Sequence, residues 1–210
     1  MPTPNHNDFP IWDNDDDLIA AVGDDGRLRR RVVAWERREV VIGRGGKAEL
    51  ELNLKAIRAD GVPVSRRRGG GCAVVIDPGN VIISVGAPRP GIGEVTSAFR
   101  EMTAWMIESL AEAGFPGVTS DGVSDLVLND RKIGGSCIYR TRGLVYYTTT
   151  LLIVPDLDAI ERYLPHPPRE PAYRRGRRHR DFLGSLTGFS ATTSAQVASD
   201  LNRVLIHQTR

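Results

Sequence analysis

Short apolar runs separated by turn residues predict most of the strands of this chain. Such runs, rich in β-branched residues, occupy positions 32–35, 39–42, 72–76, 81–85, 118–119, 125–128, 132–138 and 144–154. We expect the first two runs to pair with each other, and a second hairpin to turn at Pro78-Gly79. Asn129-Asp130 predicts a tight turn that joins the runs on either side of it into another hairpin.

Apolar residues at helical spacing predict the helices. One long amphipathic helix over about residues 94–113 is indicated by a stripe that recurs at i+3 and i+4: Val95, Phe99, Met102, Met106 and Leu110. Shorter helices are expected near residues 50–60 and over 157–164, and Thr193 with Gln196 predicts a capping box for a last helix. Strands grouped around a few helices predict an α+β fold, a mixed or antiparallel sheet backed by helices.

The composition is typical of a soluble globular protein. The 210 residues are 40% hydrophobic and 26% charged, which suits one domain with a sizeable core. No apolar run reaches membrane-spanning length, so we expect no membrane partner. Cys72 and Cys137 indicate a reducing cytoplasm rather than a disulfide framework. A net charge of +2 is too small to indicate a nucleic-acid partner by itself.

Two polar segments flank the predicted core of this domain. Residues 1–27 begin polar and acidic, and we expect a peripheral or flexible segment there. Residues 165–181, called the basic segment below, are rich in Pro and Arg and predict an extended connection. Its run RRGRRHR at 174–180, with Tyr173 beside it, leaves open a non-catalytic module that binds RNA or an acidic protein.

Two glycine-rich segments carry the candidate chemistry. The first, RRRGGGCAVVIDPGN at 66–80, sets three glycines beside three arginines, and such a loop can bind an anion through its backbone N–H groups. The second, SDLVLNDRKIGGSC at 124–137, contains Lys132, one of three lysines beside 25 arginines. A lysine kept in so arginine-rich a chain indicates a need for a compact point charge, although a cap on a surface hairpin would also explain it.

These segments resemble those of the lipoate–protein ligase family, which is related to the biotin–protein ligases. That family carries a pattern like RRxSGGGAVxHDxGN, then NDL…GRKIxGSA, then a strand like HGTLL, for which this chain has YYTTTLLIV at 146–154. With VVIGRGGKAELELN at 40–53 and DGVPVSRR at 60–67, the resemblance covers about residues 32–164 in the same order. It implies the catalytic-domain fold of biotin and lipoate ligases, which is similar to that of class II synthetases.

The resemblance implies an ATP-dependent ligase that acts in two steps. Lipoate or octanoate would attack the α-phosphate of ATP, with Mg²⁺, to give an acyl-adenylate and pyrophosphate. A lysine of an acceptor, a lipoyl domain or a protein like the glycine-cleavage H protein, would then take the acyl group. Many family members carry an added C-terminal domain that helps to form the adenylate. Since none fits within 210 residues, we expect a separate accessory polypeptide.

Site residues are carried over by match to the family motifs. Lys132 is the expected catalytic residue, a small ammonium between the acyl carboxylate and the α-phosphate. Arg67 would face the phosphates, whereas Arg66 and Arg68 would assist it or be solvated rim charges. Asp125 would lie near the metal or the nucleotide amino group, with an ordinary strand-start carboxylate as the alternative. The other expected contacts with ATP or the adenylate are Gly69, Gly70, Gly71, Cys72, Ala73, Val74, Val75, Gly135, Ser136 and Thr149.

The densest basic run is the expected docking surface for an acidic acceptor protein. Arginines at the rim of a site mainly speed encounter with an oppositely charged partner. The four arginines expected to take this role are Arg174, Arg175, Arg177 and Arg178.

Three departures from the family pattern, together with the cysteines, bear on the choice of reaction. Ile76 replaces a histidine, Cys72 replaces a glycine, and Tyr147-Thr148-Thr149 replaces HGT, so the acyl pocket is expected to differ in shape. The main alternative is an octanoyl transferase of the same fold, which moves octanoate from acyl carrier protein through a cysteine nucleophile. Residues 117–125 and all residues after 137 contain no cysteine, which favours the ligase.

Overall fold

The computed structural model describes residues 9–89, 95–141, 143–188 and 190–207, whose strands form two β-sheets. In chain order the strands are β1 (Arg29–Ala34), β2 (Glu39–Ile42), β3 (Val64–Arg66), β4 (Val74–Ile76), β5 (Asn80–Pro88), β6 (Thr119–Asp121), β7 (Asp125–Leu128), β8 (Arg131–Thr141) and β9 (Leu144–Leu152). The larger sheet is antiparallel with the order β1-β5-β9-β8-β7-β6, and the smaller sheet has the order β3-β2-β4. In the smaller sheet β2 runs parallel to β3 and antiparallel to β4.

The helices, again in chain order, pack against the sheets. They are α1 (Asp16–Asp25), α2 (Ala48–Glu51), α3 (Leu54–Ala59), α4 (Val95–Glu112), α5 (Leu157–Tyr163), a 3₁₀ turn (Ala172–Arg174), α6 (His179–Phe182) and α7 (Ser194–His207). Helices α4 and α7 pack on one face of the larger sheet, where Met106, Leu110, Val197 and Leu201 are fully buried. The α+β prediction, with sheets backed by helices, is confirmed.

Two predicted strand pairings are wrong. β1 and β2 lie in different sheets, because β1 pairs along its length with β5 whereas the fully buried β2 lies between β3 and β4. The turn at Pro78-Gly79 carries the chain from the smaller sheet to the larger one and closes no hairpin. This turn is fixed by Asp77, whose carboxylate accepts the N–H of Gly79 at 2.8 Å and of Asp156 at 3.2 Å.

Other local predictions hold. Asn129 and Asp130 have φ of 52° and 58°, the paired positive values of a two-residue hairpin turn, and they join β7 to β8. The long helix α4 lies where the apolar stripe predicted it, although the Val95 side chain is outside the described residues. The predicted helix near 50–60 is divided into α2 and α3, since the Asn53 side chain caps α3 by accepting the N–H of Ala56 at 3.2 Å.

The capping box of α7 forms by half. Thr193 Oγ1 accepts the N–H of Gln196 at 3.2 Å, as expected. The Gln196 side chain points along the helix instead and donates to both carboxylate oxygens of Asp200.

Helix α1 lies within the segment for which the sequence predicted no regular element. Leu18 and Val22 are buried against Leu144 and Tyr146 of β9, and Gly86 makes room for them, since a Cβ there would lie 2.9 Å from the Leu18 side chain. The acidic residues that looked solvated pair with arginines, as Asp15 and Asp17 do with Arg31. Residues 1–8 lie outside the described part of the chain. No helix in the described ranges has the length and apolar character needed to span a bilayer.

Candidate active site

A cavity of about 820 Å³ separates the two sheets. Its walls are mainly apolar and include Val41, Val74 and Ile76 from the smaller sheet and Ile82 and Leu152 from the larger one. Thr148 and Thr150 of β9 also face it, and parts of the basic segment border it. Such a mainly apolar cleft with a few polar groups is the usual form of a small-molecule site.

Lys132 and Asp125 form an ion pair on the wall of this cavity. Lys132 lies near the start of β8 and Asp125 at the start of β7, and Lys132 Nζ lies 2.7 Å from Asp125 Oδ1. The lysine side chain is 27% exposed and the aspartate side chain 11% exposed. The other carboxylate oxygen, Asp125 Oδ2, accepts the hydroxyl of Tyr173 at 2.9 Å. An ammonium carries three N–H donors, so Lys132 can hold Asp125 and still donate toward the cavity.

A β-bulge sets the direction of the lysine side chain. Asp125 pairs with Gly135 and Leu126 with Gly134, but Val127 pairs with Lys132, so Ile133 is an extra residue in β8. Lys132 therefore shares the cavity face with Gly135, whereas the regular alternation of a strand would turn it toward the helices. A Cβ at Gly135 would lie 3.0 Å from Lys132 Nζ, so a larger residue there would shift the ammonium by a few tenths of an ångström.

The glycine loop, defined here as residues 67–73, is held from two sides. The Arg67 guanidinium donates to the carbonyl oxygens of Gly70 and Cys72, each at 2.8 Å from Nη2, and to that of Val41 at 3.1 Å. From helix α2, the buried Glu51 accepts the N–H of Ala73 at 2.7 Å and that of Lys47 at 3.2 Å. Arg67 lines the cavity, but most of its donors organise the loop.

The neighbouring arginines differ in environment. Arg66 is buried, and its Nη1 donates to the carbonyl oxygens of Gly43 and Gly46 at 2.8 and 3.1 Å, which rules out a solvated rim charge. Arg68 is half-exposed and pairs with Asp16 of α1, Nη2 to Oδ2 at 2.6 Å. The rim position expected for Arg68 is therefore a paired one.

Most of the residues predicted for the site border the cavity. Those that do are Arg67, Gly70, Gly71, Cys72, Ala73, Val74, Val75, Asp125, Lys132, Gly135 and Ser136. Gly69 and Thr149 are not among its lining residues. Gly69 is a buried residue of the loop, and an added Cβ there would lie 2.5 Å from Cys137 Sγ. Thr149 is 1% exposed and directs its hydroxyl to the carbonyl of Gly135 at 3.3 Å, because Thr148 and Thr150 are the β9 residues that face the cavity.

The two cysteines have different environments. Burial raises the pKa of the Cys137 thiol, which disfavours the nucleophilic thiolate. Cys72 lies on the cavity wall, with its Sγ 3.7 Å from the carbonyl oxygen of Arg169. Both are free thiols.

The basic segment is folded and largely paired. Arg174, expected at the surface, is 4% exposed, and its guanidinium stacks over Phe182 at 4.8 Å, so it is not part of a docking surface. Arg177 and Arg178 pair with Asp130 and Glu161, and Arg175 is exposed. A continuous run of free cations, as an RNA-binding module would use, is therefore not what this segment presents.

Sequence reasoning missed two functional candidates. Glu51 gave no signal, since a Glu in a short helix is usually solvated. Tyr173 was noted only for its place beside the arginine run, and its partner Asp125 lies 48 positions away in the chain. Within the described ranges, no group of three or more His, Cys, Asp or Glu side chains is arranged to hold a metal ion.

The cleft lies between two sheets, and Lys132 and the glycine loop border it together. This arrangement is typical of domains that bind a small molecule. Residues 12–201 match the family model of the lipoyl protein ligase A/B catalytic domain, and the chain belongs to this family. The expected resemblance is thereby confirmed.

Individual relatives agree with this assignment. Over 138 residues, 65% of this chain, it is 32% identical to the "Probable lipoate-protein ligase A" of Mycoplasma genitalium, and it spans 40% of the length of that relative. A crystal structure of lipoate-protein ligase A bound with ATP has a TM-score of 0.75 at 24% identity, covering 92% of this chain and 77% of its own. A bi-partite archaeal lipoate protein ligase from Thermoplasma acidophilum, studied with its E2 lipoyl domain, has a TM-score of 0.77 at 24% identity, with coverages of 92% and 75%. These structural likenesses establish the fold.

Proposed function

We propose that this protein is a lipoate–protein ligase that activates lipoate or octanoate with ATP and transfers the acyl group to a lysine of an acceptor protein. The observation that carries the proposal is the ion pair between Lys132 and Asp125 on the cavity wall. The preformed glycine loop borders the same cavity. The apolar interior suits an acyl chain, and the lysine suits its carboxylate.

Adenylate formation needs positioning and charge neutralisation more than covalent help from the protein. A carboxylate attacks the α-phosphorus, the bond to the pyrophosphate oxygen breaks, and pyrophosphate leaves with the electron pair. Lys132 would donate to the acyl carboxylate and to an oxygen of the α-phosphate at once, and so hold the two anions together. The loop amides from Gly70 to Ala73 would bind along the adenylate, and Arg67 would act mainly by keeping the loop in shape.

Magnesium would enter with ATP as part of the substrate. Asp125 is the acidic side chain closest to the lysine, but both its oxygens are bonded, one to Lys132 and one to Tyr173. We therefore assign Asp125 to the lysine, and regard the triphosphate itself as the main ligand set for Mg²⁺.

Acyl transfer would involve further proteins. The archaeal neighbour is described as a bi-partite ligase with an E2 lipoyl domain. By analogy we propose an accessory polypeptide for this chain and a lipoyl-domain or glycine-cleavage-H-like acceptor. Exposed Arg175 and Arg178 remain candidates for docking it, whereas Arg174 does not, and Arg177 mainly braces the segment through carbonyl contacts.

The test is ATP–pyrophosphate exchange with lipoate or octanoate, measured on the chain alone and with a candidate accessory polypeptide. We expect exchange that requires the acid and disappears in Lys132→Ala. Cys72→Ser and Cys137→Ser should retain it, singly and together, because the ligase uses no thiolate. An octanoyl thioester on Cys72 or Cys137 after incubation with octanoyl acyl carrier protein, seen by mass spectrometry without ATP, would establish the transferase instead.

A further inference from the structure

We propose that Tyr173 is a positioning residue for adenylate formation, which acts on Lys132 through Asp125. The proposal rests on the ligase function put forward above and adds a residue from the basic segment to its machinery. Tyr173 is not among the residues that line the cavity, so it would touch neither substrate.

The geometry is a chain of two hydrogen bonds. Tyr173 Oη donates to Asp125 Oδ2 at 2.9 Å, and Asp125 Oδ1 lies 2.7 Å from Lys132 Nζ. Since each oxygen has its own partner, the carboxylate plane is fixed, and so is the position of the ammonium. Burial and the charge of Asp125 raise the pKa of Tyr173, so the hydroxyl remains the proton donor at neutral pH.

Aromatic and cationic contacts fix the Tyr173 ring. The centroid of the Tyr173 ring lies 5.0 Å from that of the Phe182 ring. The guanidinium groups of Arg174 and Arg177 lie 4.8 and 5.4 Å from the centroid of the Phe182 ring. Arg177 Nη2 also donates to the Tyr173 carbonyl at 2.8 Å. Together these contacts favour one orientation of the Tyr173 ring, so they restrict the position of its hydroxyl.

The basic segment and the residues just after it are also attached to the β7–β8 hairpin through other contacts. Arg177 Nη1 donates to the carbonyl of Asp130 at 3.0 Å in the hairpin turn. Beyond α6, the N–H of Gly184 donates to the carbonyl of Lys132 itself at 2.9 Å. Tyr173 is thus held relative to Lys132 by backbone contacts as well as through Asp125.

Without the tyrosine hydroxyl, Asp125 would offer both oxygens to Lys132. A carboxylate that has lost a donor keeps more of its negative charge for the remaining partner, and the ammonium would be drawn toward it and away from the substrates. We therefore expect a lower rate of adenylate formation, because the displaced ammonium would no longer lie between the acyl carboxylate and the α-phosphate as the new bond forms.

The experiment compares Tyr173→Phe with Tyr146→Phe. Both substitutions keep the ring and delete a buried hydroxyl that donates to a carboxylate. Tyr146 Oη donates to Asp15 Oδ2 at 2.6 Å, and this pair makes no contact with Lys132. For Tyr173→Phe we expect kcat of acid-dependent pyrophosphate exchange to fall about tenfold or more, with KM for ATP and for the acid within about twofold of wild type. Tyr146→Phe should keep kcat.

A double-mutant cycle tests the route through Asp125. If Tyr173 acts through Asp125, Tyr173→Phe should cost little further activity in an Asp125→Asn background. Wild-type kcat in Tyr173→Phe, or an equal loss in both backgrounds, would overturn the proposal.

A second readout separates this proposal from the ligase function. Acylation of Lys132 by an amine-selective reagent, followed by mass spectrometry, needs no turnover. Tyr173→Phe should slow it several-fold relative to wild type and Tyr146→Phe, because Asp125 would draw the lysine side chain toward itself and away from the reagent in the cavity. An unchanged or faster labelling rate contradicts the positioning role. If wild type shows no exchange either alone or with the accessory polypeptide, and labelling is still slowed in Tyr173→Phe, the ligase function is rejected and the arrangement is retained.

Discussion

Two groups in this protein have the same composition: a tyrosine, an aspartate and a cation. In one, Asp15 accepts from Tyr146 Oη and Ser84 Oγ, each at 2.6 Å, and lies 3.1 Å from Arg31 Nη1. In the other, Asp125 accepts from Tyr173 and pairs with Lys132. In both, burial and the adjacent carboxylate raise the pKa of the tyrosine.

The two groups differ in where the cation can donate next. Arg31 directs its N–H groups to Asp15, Asp17 and the carbonyl of Asn14, so the group that holds α1 to the sheet is complete within the protein. Lys132 borders the cavity and contacts one carboxylate, so donors remain for a ligand. The same combination of a tyrosine, an aspartate and a cation thus stabilises the fold in one place and borders the candidate site in the other.

The sharpest way to break this comparison is to remove each cation. Lys132→Ala should lower acid-dependent pyrophosphate exchange by about 10²- to 10³-fold, the usual effect of losing one preorganised donor, with little change in the thermal midpoint. Arg31→Ala should lower the thermal midpoint and leave exchange activity close to wild type. Lys132→Arg should restore little, because the planar guanidinium cannot occupy the place of a compact ammonium. Wild-type exchange in Lys132→Ala would remove the lysine from the chemistry.

Removing the buried carboxylate tests the fold-stabilising group. Asp15→Ala leaves the Tyr146 hydroxyl and Arg31 without their buried partner, and we expect the free energy of unfolding to fall by about 3–5 kcal/mol. Urea denaturation measures it. The control is Asp17→Ala, which also removes a partner of Arg31 but from an exposed position, and it should change stability little. Equal losses in the two variants would show that burial of Asp15 does not matter.

The glycine loop contacts α1 through Arg68 and also borders the cavity that contains Lys132. Substitution of Gly69 tests how closely this loop is packed. The missing Cβ of Gly69 would lie 2.5 Å from Cys137 Sγ, so Gly69→Ala should move the loop and cost about 1–3 kcal/mol of stability together with part of the exchange activity. Adding Cys137→Ala removes the sulfur and should restore both. The two variants are compared by thermal unfolding and exchange, and failure of the second substitution to rescue would place the conflict elsewhere.

The smallest effect is expected at the exposed arginines. Arg175→Ser with Arg178→Ser should slow transfer to the acceptor protein several-fold at low salt and reduce its salt dependence, while adenylate formation stays near wild type. Arg27→Ser with Arg203→Ser removes the same charge from other exposed positions and should not slow transfer. If both half-reactions fall together in the first variant, the basic segment serves the adenylation site and not docking.

The sequence predicted elements better than their partners. Helix α4 and the β7–β8 hairpin were identified because their signals, a helical stripe and an Asn-Asp turn, are local. The false pairing of β1 with β2 arose because adjacent strands usually pair, whereas the full burial of β2 placed it inside the smaller sheet. Helix α1 was missed because its acidic residues looked solvated until Arg31 and Arg68 supplied partners from distant positions.

For the site, the motifs indicated residues that border the cavity but did not indicate their contacts. Lys132 and Asp125 were both named, yet their pairing depends on a bulge that no local signal announces. Thr149 was expected to contact the adenylate by match to the family motif, but Thr148 and Thr150 are the β9 residues that line the cavity. Arg174 was assigned to the surface by its charge alone, and its burial follows from stacking on Phe182.

The bulge at Ile133 has a consequence for how this strand can change in length. It puts Ile133 and Gly134 on the same face, and Gly134 needs to lack a side chain, since a Cβ there would lie 2.9 Å from the carbonyl oxygen of Thr150. Deleting Ile133 would leave Leu126–Gly134 and Val127–Lys132 as successive regular pairs, so Lys132 would stay on the cavity face, while the core between the sheet and the helices would lose the buried Ile133 side chain. A deletion at this bulge should therefore act mainly through the loss of core packing, whereas substitution of Lys132 acts on the reaction itself.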